Sequence, residues 1–351
     1  MPPQTAAPNP PLPPGDAPPA QGVAATPVAF VQAIVEAYRA RQMSPQEALR
    51  KAQIEPSLLE NPHARVTALQ FEWLSAAAMR ELDDEALGWF GRRLPWGSYG
   101  MLVRASLGAP TLGLALRRWC RHHGLLCSDI TLRLREEGGL AHLELEEHTT
   151  LGTLREFCVV SVLRNALGVA CWLTDSRIPL RATTLRFAAP PHLESYAVLF
   201  DGPTAFDAGR NSLQFDAGYL ALPVRRDEAA LQQMLQRALL LTVRPYRRDR
   251  LLVEKVRQAL TEHPERCRNA DDLAALLAMS GRTLHRQLKE EGSSLQQLKD
   301  AVRRDTACTL LRQSRKPLKQ IAQAAGFLNE KSFIRAFKAW TGMTPQDYRG
   351  R

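Results

Sequence analysis

Cysteine is scarce, with six residues in 351 and no Cys-x-x-Cys pair, which excludes a disulfide-stapled scaffold. Long apolar runs are missing too. The longest, Phe157 to Leu173, is broken by Arg164 and Asn165, and its 17 residues sit at the bottom of the spanning range. It reads as a buried helix. The opening Met-Pro-Pro-Gln has neither the basic start nor the apolar run of a secretory signal, so a cytoplasmic chain without a membrane partner is expected. Catalytic motifs are also lacking: there is no Gly-x-Ser-x-Gly elbow, His-Glu-x-x-His, Walker loop or Gly-x-Gly-x-x-Gly. An enzyme is therefore not expected, and no catalytic residue, cofactor or metal is assigned.

What remains is an ordinary globular composition, 45% apolar and 23% charged, long enough for about two or three domains. Wholesale disorder, collagen and a membrane bundle are excluded. The formal charge is +10, and it is unevenly placed. From Leu251 onward there are 19 Lys or Arg against 11 Asp or Glu, a net of +8, which leaves +2 for the first 250 residues. A basic terminal segment beside a nearly neutral body suggests a polyanion partner, nucleic acid first and an anionic membrane surface second. The plain alternative is a soluble surface that happens to be basic.

Nine of the first twenty residues are proline, so residues 1–26 are expected to form a disordered tail, with order starting near Pro27. Arg-Pro-Tyr-Arg-Arg-Asp-Arg at 244–250 interrupts the helical pattern and reads as a short linker. That leaves a body at 27–243 and a terminal domain at 251–351. In the body, helical periods cover Phe30 to Arg41, Pro45 to Ala52, Ala64 to Met79, Asp84 to Phe90 and Thr111 to His122. The period then becomes two. Ile130, Leu132 and Leu134 alternate with polar residues, Gly138-Gly139 turns the chain, and Leu143 and Leu145 alternate again, a hairpin signal. A long helix at Thr150 to Leu173, strands at Thr184 to Phe187 and Ser212 to Phe215, and a helix at Glu228 to Val243 complete an α+β body. Cys120, His122, His123 and Cys127 are the nearest approach to a metal set, but adjacent histidines leave a helix on different sides. Trp89, Trp96 and Tyr99 either line a pocket or fill a core.

The basic segment carries the functional signal. Asn269 or Ala270 precedes a short helix to Ala278, Met279-Ser280 turns, Ser280 is placed to cap, and Gly281 to Lys289 is a second helix. On it Leu284 and Leu288 face inward, while Arg282, His285, Arg286 and Lys289 face outward. The pattern recurs. Leu318 to Ala325 is entered through Pro317, Gly326 allows the turn, and Asn329 caps Glu330 to Trp340. There Phe333, Phe337 and Trp340 make the buried stripe, and Lys331, Ile334, Arg335 and Lys338 the outer face. Ser294 to Gln313 joins the units as one helix with Leu295, Leu298, Val302 and Leu310 inward. At roughly 1.5 Å per residue it spans about 30 Å, close to the roughly 34 Å between successive major-groove faces.

Ile321-Ala322-x-x-Ala325-Gly326-Phe327, followed by Phe333, Phe337, Gly342 and Thr344-Pro345, resembles the DNA-binding domain of the AraC/XylS family of bacterial transcription regulators. The resemblance spans residues 251–349. Ala278 stands where the family often has Gly, and Leu288 where Phe is common. Carried over residue by residue, the resemblance makes Gly281, Arg282, His285 and Arg286 base-facing in the first unit, and Glu330, Lys331, Ile334 and Arg335 in the second. In that placement Arg286 suits a bidentate bond to guanine and Ile334 a thymine methyl; Glu330 either accepts from cytosine or only favours the helix start. The body, over roughly 30–225, resembles the arabinose-binding-type sensor of one AraC subfamily, through Gly108-Ala109-Pro110-Thr111-Leu112-Gly113, Arg186-Phe187, Pro190-Pro191, Tyr196, Phe200, Phe206, Asn211, Phe215 and Leu222-Pro223.

These resemblances imply an α+β sensor domain followed by an all-α domain with two helix-turn-helix units, about 270–290 and 318–340, joined by a long helix. They imply a sequence-specific transcription regulator, with activation the commoner outcome in the family. Its expected partners are double-stranded promoter DNA, RNA polymerase, an unidentified small-molecule effector, and a second copy in a homodimer. The rivals are a constitutive architectural protein without a ligand and an enzyme fused to a DNA-binding tail.

Overall fold

The computed structural model describes residues 24–235, 249–267 and 269–350. The chain divides into two compact units, Met1–Arg247 and Arg248–Arg351. Residues 24–26, inside the expected tail, are ordered, because strand β1 (Ala24–Pro27) pairs antiparallel with β2 (Arg65–Thr67). Thr26 and Val28 are buried there, so burial overrides the weak local signal. The remainder of the expected tail, the linker as far as 248 and the end of the helix expected to reach Val243 lie outside the described residues.

Helix α1 (Val28–Arg39) buries Phe30, Val31, Ile34, Val35 and Tyr38 on one side. Helix α2 (Gln46–Lys51) follows, and α3 (Ala68–Glu81) starts with a capping box between Thr67 and Gln70. The helix expected at Asp84 to Phe90 does not form. The buried Asp84 carboxylate accepts from the backbone N–H of Ala86, Gly88 and Leu94 at 2.9–3.0 Å, and from Arg41 at 2.6 Å. A side chain that collects those N–H groups replaces the helical ladder, and Leu87 and Gly88 turn left-handed at φ 50° and 84°. Helix α4 (Ser98–Leu107), absent from the sequence expectation, is started by Glu85, which accepts from Gly97 N–H and Tyr99 N–H at 2.7 Å each.

After α5 (Leu112–Leu126) come β3 (Ile130–Glu137) and β4 (Leu140–Glu147), paired from Ile130↔Glu147 to Glu137↔Leu140 around Gly138-Gly139, both with positive φ. Helix α6 (Arg155–Thr174) is the apolar stretch. With its preceding turn it is long and apolar enough to cross a membrane, yet 78% of its most apolar window is buried in the protein, so it is the core helix. Its interrupting Arg164 lies 6.0 Å over the Phe200 ring, and burial holds its pKa down to about 10.

Strands β5 (Leu180–Thr184), β6 (Thr204–Ala205) and β7 (Asn211–Asp216) complete a five-stranded sheet in the order β3-β4-β7-β5-β6, with helix α7 (Tyr196–Leu199) before β6 and α8 (Glu228–Leu235) after β7. The strand expected at Thr184 to Phe187 therefore lies four residues earlier. It ends because the Arg186 N–H leaves the ladder for the Asn211 side-chain oxygen at 2.9 Å.

The second unit is helical throughout its regular structure: α9 (Leu251–Glu262), α10 (Ala270–Leu276), α11 (Gly281–Glu290), α12 (Leu295–Gln313), α13 (Leu318–Ala324), α14 (Glu330–Thr341) and α15 (Pro345–Arg349). It has two cores. One is aliphatic, with Val256, Leu273, Leu284, Leu288 and Leu298. The other is aromatic, with Phe333 and Phe337 packed by Phe327, Trp340 and Tyr348. Helix α12 contributes to both, through Leu295 and Leu298 at one end and Ala307 and Leu311 at the other. Leu311 is fully buried where the apolar period pointed to Leu310, which is half-buried.

Candidate nucleic-acid interface

Local chemistry sets both helix-turn-helix units. In the first, Asn269 Oδ1 accepts from Asp272 N–H at 2.8 Å and caps α10, whose acids Asp271 and Asp272 sit at the positive end of its dipole. Ala278 turns the chain at φ 54°, Met279 N–H closes back on Ala274 O at 2.9 Å, and Ser280 Oγ caps α11 through Thr283 N–H at 3.1 Å. In the second, Gly326 supplies the turn at φ 77°, Asn329 Oδ1 accepts from Ser332 N–H at 2.8 Å, and Gly342 ends α14 at φ 75°. Leu284 and Leu288 are fully buried under α11, as Phe333 and Phe337 are under α14. The first core thus closes around the shorter Leu288.

With those stripes buried, the opposite faces are presented. Arg282, His285 and Arg286 are exposed on α11. Gly281 opens that helix half-buried, and a Cβ there would stand 2.8 Å from Asp271 Oδ1, so a larger residue would make that carboxylate shift. On α14 Lys331 and Arg335 are exposed and Glu330 is half-buried in the first turn. Ile334 differs from the outward position expected of it: it is half-buried at the rim of the aromatic core. Arg286 makes an exposed ion pair with Glu290 at 3.6 Å, a contact worth little in water and readily exchanged for another partner.

Several cations of the basic segment are committed elsewhere. Arg303 lies 5.3 Å over the Phe327 ring and Arg312 5.0 Å over Tyr348. Arg349 donates to Lys316 O at 2.7 Å, and Arg257 pairs with Asp305 at 3.3 Å. Lys289, Lys319 and Lys338 are exposed.

The sequence reading missed Glu291. Its buried carboxylate accepts from Leu252 N–H at 3.2 Å and Val253 N–H at 2.8 Å, so the residue that ends α11 caps α9. Burial pushes this carboxyl up to about 7 against the pull of the two N–H donors. No local motif signals it, because its partners lie 38 and 39 residues away in sequence. In the body, His123 is fully buried and Cys120 and Cys127 are buried, but among the described residues no group of three His, Cys, Asp or Glu side chains gathers as a metal site. Trp96 is exposed beneath the Arg80 guanidinium, whereas Trp89 is buried.

Paired helix-turn-helix units sharing one connecting helix, behind an α+β body, define the class: a helix-turn-helix transcription regulator with a separate N-terminal domain. Residues 43–224 match the family model for the arabinose-binding domain of AraC transcription regulators, and residues 273–351 match a helix-turn-helix domain model. The chain belongs to the AraC family of transcription regulators. It is 31% identical over 329 residues to the ornithine utilization regulator of Pseudomonas aeruginosa, covering 92% of this chain and 96% of that protein. It is 27% identical over 342 residues to an uncharacterized HTH-type transcriptional regulator of Mycobacterium bovis, covering 93% and 96%. Among solved structures, the transcriptional regulator CdpR from Pseudomonas aeruginosa aligns over 92% of this chain and 98% of its own, at 20% identity and a TM-score of 0.34.

Proposed function

We propose that residues 251–351 read promoter DNA through α11 and α14 in successive major grooves, and that the body at 27–243 binds a small-molecule effector and carries a homodimer contact. Gly281, Arg282, His285 and Arg286 face bases in one groove, and Glu330, Lys331, Ile334 and Arg335 in the next. The carrying observation is that each reading helix buries its apolar stripe and leaves a cationic face, at the two ends of one 19-residue helix. That helix is about 28 Å long at 1.5 Å per residue, against the roughly 34 Å repeat of the duplex. Ile334, at the core rim, meets its base by a methyl contact, the one readout that needs no extended polar side chain. The regulator acts in the cytoplasm as an activator that touches RNA polymerase. The effector works by binding the DNA-competent arrangement more tightly than the alternative. Likeness along the whole chain to a regulator of ornithine utilization supports target genes for the use of a small molecule.

Selection of bound sequences from a random duplex pool tests the reading. Two half-sites about one helical turn apart are expected. Arg286→Ala should cost about 1–3 kcal/mol on the selected site and relax preference at one base pair. A pool without enrichment, or a variant that matches the parent on every sequence, would sink it.

A further inference from the structure

Buried polar atoms in folded proteins are nearly always paired, and unpaired ones call for an explanation. In the body, Trp89 Nε1, the Tyr99 hydroxyl, Trp119 Nε1 and both ring nitrogens of His123 are closed to solvent and have no hydrogen-bond partner among the described residues. His123 is 0%, Trp119 1% and Trp89 7% exposed. They lie together. Ring centroids are 6.1 Å apart for Tyr99 and Trp119, 6.1 Å for Tyr99 and His123, 6.2 Å for His123 and Phe90, and 6.1 Å for Phe90 and Trp89. The elements are α4, α5 and the segment between α3 and α4 that Asp84 and Glu85 hold in place.

The titratable members of the cluster are uncharged, and the nearest charges acting on Tyr99 are the carboxylates of Glu85 and Asp84. Burial holds His123 down to about 4, so it is uncharged near neutrality, and it pushes the Tyr99 hydroxyl and the Cys127 and Cys158 thiols up. The neighbouring carboxylates are spoken for, Asp84 by Arg41 and three N–H groups, and Glu85 by Gly97 and Tyr99. Two indole N–H groups, a phenol and an imidazole therefore offer donors without charge, between aromatic faces. An anionic guest would lose its hydration beside those carboxylates, and a cationic one would find their oxygens already taken, whereas an uncharged ring bearing oxygen would find aromatic faces to stack on and donors for its oxygen.

We propose that Trp89, Tyr99, Trp119 and His123, with Phe90, form the effector site of the body, and that it takes a small uncharged aromatic molecule bearing a hydroxyl or carbonyl oxygen. The site rests on the reading of the body as an effector-binding domain, and it adds the chemistry of the effector.

Titration calorimetry of the full chain with phenol, toluene and benzoate tests it. Saturable phenol binding is expected, with toluene at least ten-fold weaker and benzoate silent. His123→Phe and Trp119→Phe should each weaken phenol at least ten-fold, while Trp96→Phe leaves it unchanged; a variant that fails to fold is replaced as the readout by the other. No saturable phenol binding, equal affinity for phenol and toluene, or unchanged affinity in both buried variants would overturn the site. A crystal soaked in phenol that shows only ordered water beside Tyr99 and His123 would overturn it as well. Operator binding measured in parallel separates the two levels. Intact DNA recognition without phenol binding removes this site and leaves the regulator. Phenol binding that does not change operator affinity removes the effector role from the cluster.

Discussion

Ala278 holds a left-handed backbone at φ 54° in the turn of the first helix-turn-helix unit, where its Cβ meets the following carbonyl. Ala278→Gly removes that contact and should stabilise the C-terminal unit by about 0.5–1 kcal/mol, measured by urea unfolding. Unchanged stability would mean that the turn carries no strain. His123 offers a second test at this scale. Its folded pKa is depressed to about 4 from 6.5, so its contribution is complete above 6.5 and is lost as pH falls towards 4. Between pH 7 and 4.5 the parent should lose about 2 kcal/mol through this residue, a share that His123→Phe does not lose. Equal acid sensitivity of the two chains would show that the ring is already solvated. The caps at Ser280 and Asn329 were legible because acceptor and donor stand three residues apart. The burial that neutralises His123 was not, since it depends on Phe90 and Tyr99, 33 and 24 positions upstream.

Helix α11 is fixed at both ends by side chains, Ser280 at its start and Glu291 just past its end. Glu291→Ala strips two acceptors from the first turn of α9 and should cost about 1–2 kcal/mol, with increased amide exchange at Leu252 and Val253. Exchange unchanged at those amides would place their partner elsewhere. Elements with a strong apolar pattern were legible from the sequence: the hairpin at Gly138-Gly139, the core helix, α12 and both reading helices. Those decided by a side chain that takes backbone N–H groups for itself were not. Asp84 consumes the N–H groups an α-helix would have used, and Asn211 takes the Arg186 amide out of the sheet. The outward faces of α11 and α14 followed from the positions of Leu284, Leu288, Phe333 and Phe337. Ile334 did not, because its apolar side chain folds against the rim of its own core.

For the whole molecule, the +10 formal charge already counts the Arg257–Asp305 pair, while Arg303, Arg312 and Arg349 keep their charge but have their guanidinium heads held by rings and backbone. Each phosphate neutralised adds about −0.9 to the slope of log affinity against log salt. Lys338→Ala should therefore lower that slope by about 1 on specific and unrelated DNA alike. Arg303→Ala should leave it unchanged and lower thermal stability instead. Filter binding between 50 and 200 mM salt, the range over which such contacts are lost, distinguishes the two variants. A slope change for Arg303→Ala would mean that its ring contact yields to phosphate.

The aromatic core behind α14 has one more consequence. Trp340 is the only tryptophan after Trp172, and it packs 5.7 Å from Phe327, while the core behind α11 is aliphatic. Excited at the red edge, a fragment beginning at Asp249 would glow from a single lobe. The other lobe is optically dark, so the arrival of the Trp340 lobe on a promoter can be timed by itself, without attaching a dye.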